Sequence, residues 1–146
     1  MVKNSNFKWI NDNYGHAEGD ECLAEIATSI HDSAMRPADT VARYGGEEFV
    51  AVLPGTDLEG ATIVANRILK GVTDLKIEHK GSATSVFVSV SIGGSSNGVK
   101  GVDDTKKLFL SADNALYQAK NTGRNKVCIA SQSGDLGQSK LEIKAI

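Results

Sequence analysis

Apolar positions along this chain change period several times, and each change predicts an element. Over residues 20–35, Leu23, Ile26, Ala27, Ile30 and Ala34 recur at three- and four-residue steps, which predicts an amphipathic helix. Residues 40–44 and 48–53 are short β-rich runs split by Gly45-Gly46. Two glycines between strands signal a hairpin, because a tight primed turn needs positive φ at its central residues. Pro54 and Gly55 close it; Thr56 with Glu59 resembles a capping box, and Ala61, Val64, Ile68 and Leu69 continue at helical spacing. Residues 75–79 and 85–92 predict a second strand pair around Lys80-Gly81, with Val86, Val88, Val90 and Ile92 alternating inward. A third helix is predicted over 104–121, with Leu108, Ala112, Ala115, Leu116 and Ala119 inward and Gly123 as its stop. Residues 126–130 make a closing strand. The predicted order is helix, two strands, helix, two strands, helix, strand: an α/β (α+β) class with an antiparallel-rich central sheet flanked by helices.

Composition narrows the picture without changing it. The chain has 146 residues, 40% hydrophobic and 23% charged, which suits one globular domain and excludes wholesale disorder. No apolar run reaches the roughly 18 residues of a membrane span, and the first residues lack a signal-peptide stretch. Cys22 and Cys128 stand far apart with no CxxC pair, as expected of reduced core thiols in a cytoplasmic protein. A net charge of −2 argues against nucleic acid as a partner. The Ser-, Gly- and Gln-rich segment 131–139 looks like a linker. Residues 140–146 alternate with period two, which suits either a frayed tail or a short terminal strand on an exposed edge. The domain is therefore expected over 1–130, with a polar tail over 131–146.

The densest chemistry is Arg43-Tyr44-Gly45-Gly46-Glu47-Glu48-Phe49. Two glycines at a hairpin tip leave the backbone bare, so a phosphate or a base can come close. Successive glutamates on a strand are expected on opposite faces, so one would serve a metal and the other a ligand. The plain alternative is a solvated hairpin. Arg36-Pro37-Ala38-Asp39 places a guanidinium and a carboxylate three residues apart; alone it reads as a surface ion pair.

Three motifs together resemble the GGDEF family of diguanylate cyclases over residues 7–127. They are Gly45-Gly46-Glu47-Glu48-Phe49; the run from Phe7-Lys8-Trp9-Ile10-Asn11-Asp12 through Gly15-His16 to Gly19-Asp20; and Leu116-Tyr117-Gln118-Ala119-Lys120-Asn121-Thr122-Gly123-Arg124-Asn125. The resemblance implies a palm-like nucleotidyl-cyclase fold that condenses two GTP into cyclic di-GMP. Each protomer of a homodimer would hold one GTP, whose 3′-hydroxyl attacks the α-phosphate of the other and releases pyrophosphate. It further implies Asn11 and Asp20 on the guanine edge, Gly45, Gly46 and Glu48 at the substrate, and Glu47 on Mg²⁺ (or Mn²⁺). Glu47 and Glu48 would be the catalytic pair. Lys8, Lys120 and Arg124 would bind phosphates, with Lys120 and Arg124 four apart at a helix end. Asn11 and Asp20 could equally serve as turn and cap residues, and Lys120 and Arg124 could complement a helix C-terminus. Arg36 and Asp39 stand at the offset of the family's product-inhibition site, with Arg67 on the next helix joining them on a guanine. An upstream sensor or receiver domain is the family's usual partner.

One departure stands out. Where the family's first strand carries an Asp-x-Asp-like element whose first acid ligates Mg²⁺, this sequence has Lys3 and Ser5. An ammonium cannot ligate a cation. The first strand is therefore expected to be missing, the domain N-terminally incomplete, and GTP turnover poor or absent. The alternative function is a catalytically impaired module that binds cyclic di-GMP.

Overall fold

The computed structural model describes residues 1–4, 7–79, 86–97 and 104–130. In chain order the elements are β1 (Val2–Asn4), α1 (Phe7–Tyr14), α2 (His16–Ser33), β2 (Thr40–Gly45), β3 (Glu48–Val52), α3 (Leu58–Asp74), β4 (Val90–Gly94), α4 (Thr105–Asn121) and β5 (Val127–Ile129). The sheet runs β2-β3-β1-β4-β5. β1 is antiparallel to both β3 and β4, and β2 pairs antiparallel with β3. β4 and β5 are parallel, with α4 as the crossover that a parallel pair needs.

The expected loss of the first strand is corrected here. Val2-Lys3-Asn4 forms the central strand, and three residues suffice because strands on both sides satisfy the backbone. No hydrophobic alternation announces so short a strand, so the pattern of the sequence passes over it. Residues 131–146, including the proposed terminal strand, lie outside the described residues.

Side-chain alternation on β1 assigns the two faces of the sheet. Val2 lies opposite Phe49 and Ile92, and all three are buried in one core with Phe7 and Ile10 of α1, Leu23, Ile26 and Ile30 of α2, and Ile68 and Val72 of α3. Lys3 lies opposite Glu48 and Ser91, so it projects to the other face. That face receives α4 over β4 and β5, through a smaller cluster of Ala115, Ala119 and Cys128. Gly93 makes the seat: a Cβ there would meet the Ala112 carbonyl and the Leu116 backbone. Beside α4, no described element covers the same face over β1 and β3.

Other expectations shift locally. The first helical stretch is longer than predicted, starting at His16, and α1 precedes it with only Phe7 and Ile10 buried, too few to show a period. Helix α3 is capped by Asp57, which accepts from Gly60 N at 2.8 Å; the carboxylate one residue beyond Thr56 wins the cap. The second strand pair shrinks among the described residues to one bridge, Glu78 with Phe87, and Val86 is exposed because it lies ahead of that bridge, off the sheet. Both cysteines are free and buried; burial pushes the Cys22 thiol up to about 11.

Candidate functional site

Strand β2 ends at Gly45, β3 begins at Glu48, and Gly46-Glu47 makes the turn between them. Gly46 takes φ +50°, which favours glycine, and Arg43 Nε donates to its carbonyl at 2.8 Å. Gly45 needs no such freedom, and a Cβ on it would meet nothing within 4 Å. Neither conformation nor packing asks for glycine there, which leaves access to the backbone as its physical use.

The glutamates do not divide between faces as the strand rule suggests. Lys3 Nζ donates to Glu48 Oε1 at 2.9 Å and stands 3.4 Å from Glu47 Oε1. Glu47 belongs to the turn, so the two-residue period of β3 does not govern it. The Asn4 amide donates to the Glu47 carbonyl at 3.2 Å, which fastens the turn to β1. All three side chains are half-buried. The hydrogen bond to Glu48, aided by the charge of both carboxylates, raises the Lys3 pKa above the usual lysine value.

Lys120, near the end of α4, faces the same cluster. Burial, and then the positive charge of Lys3, lower its pKa, while Glu48 pulls the other way. Tyr44 packs on Phe109 of α4 with ring centroids 5.0 Å apart, bracing the hairpin against the helix across the open face. This contact carries no local sequence signal, since 64 residues of intervening chain hide it.

The two residues expected on a guanine edge sit where α1 and α2 meet. Asn11 lies directly over Gly19, so any Cβ there would collide with its amide. Its Oδ1 is buried without a hydrogen-bond partner. Asp20 follows at the surface and lines a groove of about 620 Å³ between α2 and β2, with Leu23, Ala27, Val41, Arg43 and Phe49. The carbonyl oxygen of Asn11 and the carboxylate of Asp20 are acceptors suited to the N–H edge of a purine.

The expected phosphate-binding residues divide. Lys120 is in the cluster; Lys8 is exposed on α1, and Arg124 is exposed beyond the end of α4. Among the described residues neither Lys8 nor Arg124 contacts Glu47 or Glu48. Because α4 ends at Asn121, helical four-residue spacing does not align Lys120 with Arg124, which instead takes φ +57° in the turn after the helix.

Arg36 and Asp39 form a pair on the loop before β2. Arg36 Nη2 and Nε donate to Asp39 Oδ1 at 2.8 and 3.1 Å, and Nη2 also donates to the Pro54 carbonyl at 3.3 Å and to Thr56 Oγ1. The guanidinium holds the Asp39 carboxyl below its usual value. Thr56 and Pro54, absent from the sequence reading of this site, join it because the end of the hairpin folds back beside the loop. Arg67 stands apart from the pair: its Nη1 donates to the Ser33 carbonyl at 3.1 Å at the end of α2.

A divalent metal does not fit the hairpin as it stands. Two carboxylates are offered, but both are paired to an ammonium, and among the described residues no three His, Cys, Asp or Glu gather as ligands. Nor is any described helix long and apolar enough to cross a membrane.

Comparison with known proteins identifies the fold. A family model described as "Diguanylate cyclase, GGDEF domain" matches residues 1–126. Diguanylate cyclase A of Treponema denticola is 44% identical over 130 residues, covering 89% of this chain and 34% of that protein. Diguanylate cyclase DgcM of Escherichia coli K12 is 42% identical, covering 89% and 30%. The chain thus spans about a third of the length of these curated relatives. The GGDEF domain of DgcB from Caulobacter crescentus, solved with c-di-GMP, superposes with a TM-score of 0.75 at 29% identity, covering 88% of this chain and 74% of that one. The active GGEEF domain of a Vibrio cholerae diguanylate cyclase gives 0.73 at 34% identity, covering 90% and 81%. Both neighbours have the palm-like cyclase fold.

Proposed function

The chain belongs to the GGDEF family of diguanylate cyclases, and from that premise we propose that it is a guanine-nucleotide-binding domain of cyclase type with little GTP turnover of its own. The observation that carries the reading is the hold of Lys3 on both signature glutamates, 2.9 Å from Glu48 and 3.4 Å from Glu47. The family's chemistry depends on a divalent metal, and here the carboxylates that would serve it are engaged by a cation fixed to the chain. No step of the reaction is therefore assigned to a metal at this site.

The recognition parts are kept. Asn11, with its buried unpartnered Oδ1, and Asp20 at the groove suit guanine. The bare Gly45-Gly46 backbone, with Lys120 near Lys3 and Glu48, suits the phosphates, and Lys8 and Arg124 are within the proposal as exposed outer cations. A second protomer would supply the other half of any two-GTP reaction.

A second reading is favoured by the Arg36–Asp39 pair: a module that binds cyclic di-GMP at Arg36 and Asp39, with Arg67 closing from α3. The pair already joins the acceptor and donor that two edges of a guanine require, and a ligand would compete with the contacts to Pro54 and Thr56.

Incubation with GTP and Mg²⁺, followed by quantitation of cyclic di-GMP, tests the first reading. Product is expected at less than a hundredth of the rate of a curated cyclase run in parallel, while binding of a GTP analogue persists and weakens about tenfold in Asn11→Ala. Turnover comparable with that cyclase would overturn it.

A further inference from the structure

We propose that Lys3 is a resident counter-cation: it does the electrostatic work of a metal at the signature hairpin, so that a nucleotide polyphosphate binds this site without a divalent ion. The proposal rests on the guanine-nucleotide reading above and specifies how its phosphate end is held.

Geometry carries it first. The Lys3 ammonium is bonded to Glu48 at 2.9 Å and lies 3.4 Å from Glu47, so one group answers both carboxylates. Its position is not a matter of side-chain chance. Lys3 sits on the central strand, paired on one side with Glu48 and on the other with Ser91, and the Asn4 amide ties the Glu47 carbonyl to the same strand. A divalent ion on either carboxylate, at about 2.1 Å from the oxygen, would lie within roughly 5.5 Å of the ammonium. Like charges so close in a half-buried site repel with little screening.

Charge then explains what the lysine replaces. An aspartate with a bound divalent cation brings one negative and two positive charges, a net of one positive. Lysine brings the same net charge by itself. With Lys120 beside it, the cluster of Lys3, Lys120, Glu47 and Glu48 is neutral as it stands, whereas an aspartate at position 3 would leave it two charges negative. That deficit equals one divalent ion. The net charge that a metal would bring to the hairpin is thus already present.

Capacity for a ligand remains. An ammonium has three donors, and one is hydrogen-bonded to Glu48, with Glu47 an ion-pair neighbour at 3.4 Å. The remaining donors, together with Lys120 and the open backbone at Gly45 and Gly46, can meet phosphate oxygens.

Two measurements on the full chain test this. The first is binding of N-methylanthraniloyl-GTP in Mg²⁺ and in EDTA; the second is uptake of Mn²⁺ without nucleotide, followed by electron paramagnetic resonance. The wild-type chain is expected to bind the nucleotide within threefold in the two conditions and to leave the Mn²⁺ signal undiminished. Lys3→Asp is expected to take up Mn²⁺ and to lose at least tenfold in nucleotide affinity when EDTA replaces Mg²⁺. Lys3→Arg, which keeps the charge, should behave as wild type; circular dichroism melts of each variant separate these effects from unfolding. Wild-type binding that collapses in EDTA, or wild-type uptake of Mn²⁺, would overturn the proposal and leave the guanine-nucleotide reading standing. No nucleotide binding in any condition would overturn that reading, and the proposal with it.

Discussion

Two cation–carboxylate arrangements flank the signature hairpin, and they are built in opposite ways. Arg36 and Asp39 are three residues apart on one loop, and the pair is made from donors and acceptors within a single short segment plus the turn after β3. Lys3 and Glu48 are 45 residues apart and meet because two strands lie in register at the middle of a sheet. The first pair can open at the cost of a loop rearrangement. Opening the second means moving a lysine whose backbone is held on both sides. The same ion-pair chemistry therefore makes a locally built loop contact in one place and a fixed part of the electrostatic frame in the other.

The sharpest way to break that contrast is to remove the helix that walls the fixed site. Gly93→Ala puts a methyl group against the Ala112 carbonyl and within 2.7 Å of the Leu116 Cα, all backbone that cannot swing aside. Stability should fall by about 3 kcal/mol, read by urea denaturation, and Lys120 should leave the hairpin with α4. Cyclic di-GMP binding at Arg36 should survive wherever the variant is folded.

Lys3→Met is a milder probe. It leaves Glu47 and Glu48 facing each other half-buried without their cation, and the partial exposure of all three groups limits the loss to about 1 kcal/mol. Added salt should recover part of that loss, since it screens the repulsion left behind. A loss insensitive to salt would mean that the lysine acts through packing.

At the other pair the effect is read in ligand binding. Arg36→Ala should weaken cyclic di-GMP binding at least tenfold in titration calorimetry; because it leaves the covered Asp39 carboxylate without its guanidinium, the melt of the variant is recorded beside the titration. The same variant fixes the sign of a pH effect. Asp39 is held below its usual carboxyl value by Arg36, so the pair's contribution is present above the usual range and disappears as pH falls through the lowered value. Carboxyl NMR titration of Asp39 should show that value rising in Arg36→Ala; an unchanged titration would remove Arg36 as its cause.

How far the sequence could be read follows the same division. Leu23, Ile26 and Ile30 announce α2 because each sits one helical turn from the next. The Gly-Gly hairpin and the Arg36–Asp39 pair were legible for the same reason, their parts being neighbours in the chain. Arg124 shows the limit even at short range. Its four-residue spacing from Lys120 loses meaning once the helix ends at Asn121. Glu47 shows it again, since the alternation rule fails one residue outside the strand that obeys it.

By itself the sequence determined helices α2, α3 and α4, the hairpin and the family's motifs, and it placed a lysine where a metal-binding acid is expected. These are statements about residue types and short spacings, which periodicity and turn chemistry control. Only the tertiary structure decided that Val2–Asn4 is a central strand and not a missing one, and that Lys3 reaches both Glu47 and Glu48. It likewise decided that Asn11 rests on Gly19 and that Gly93 seats α4. The physical reason is that a strand's place in a sheet is set by backbone pairing with segments far along the chain. Such pairing depends on what covers each face, and no local pattern encodes it.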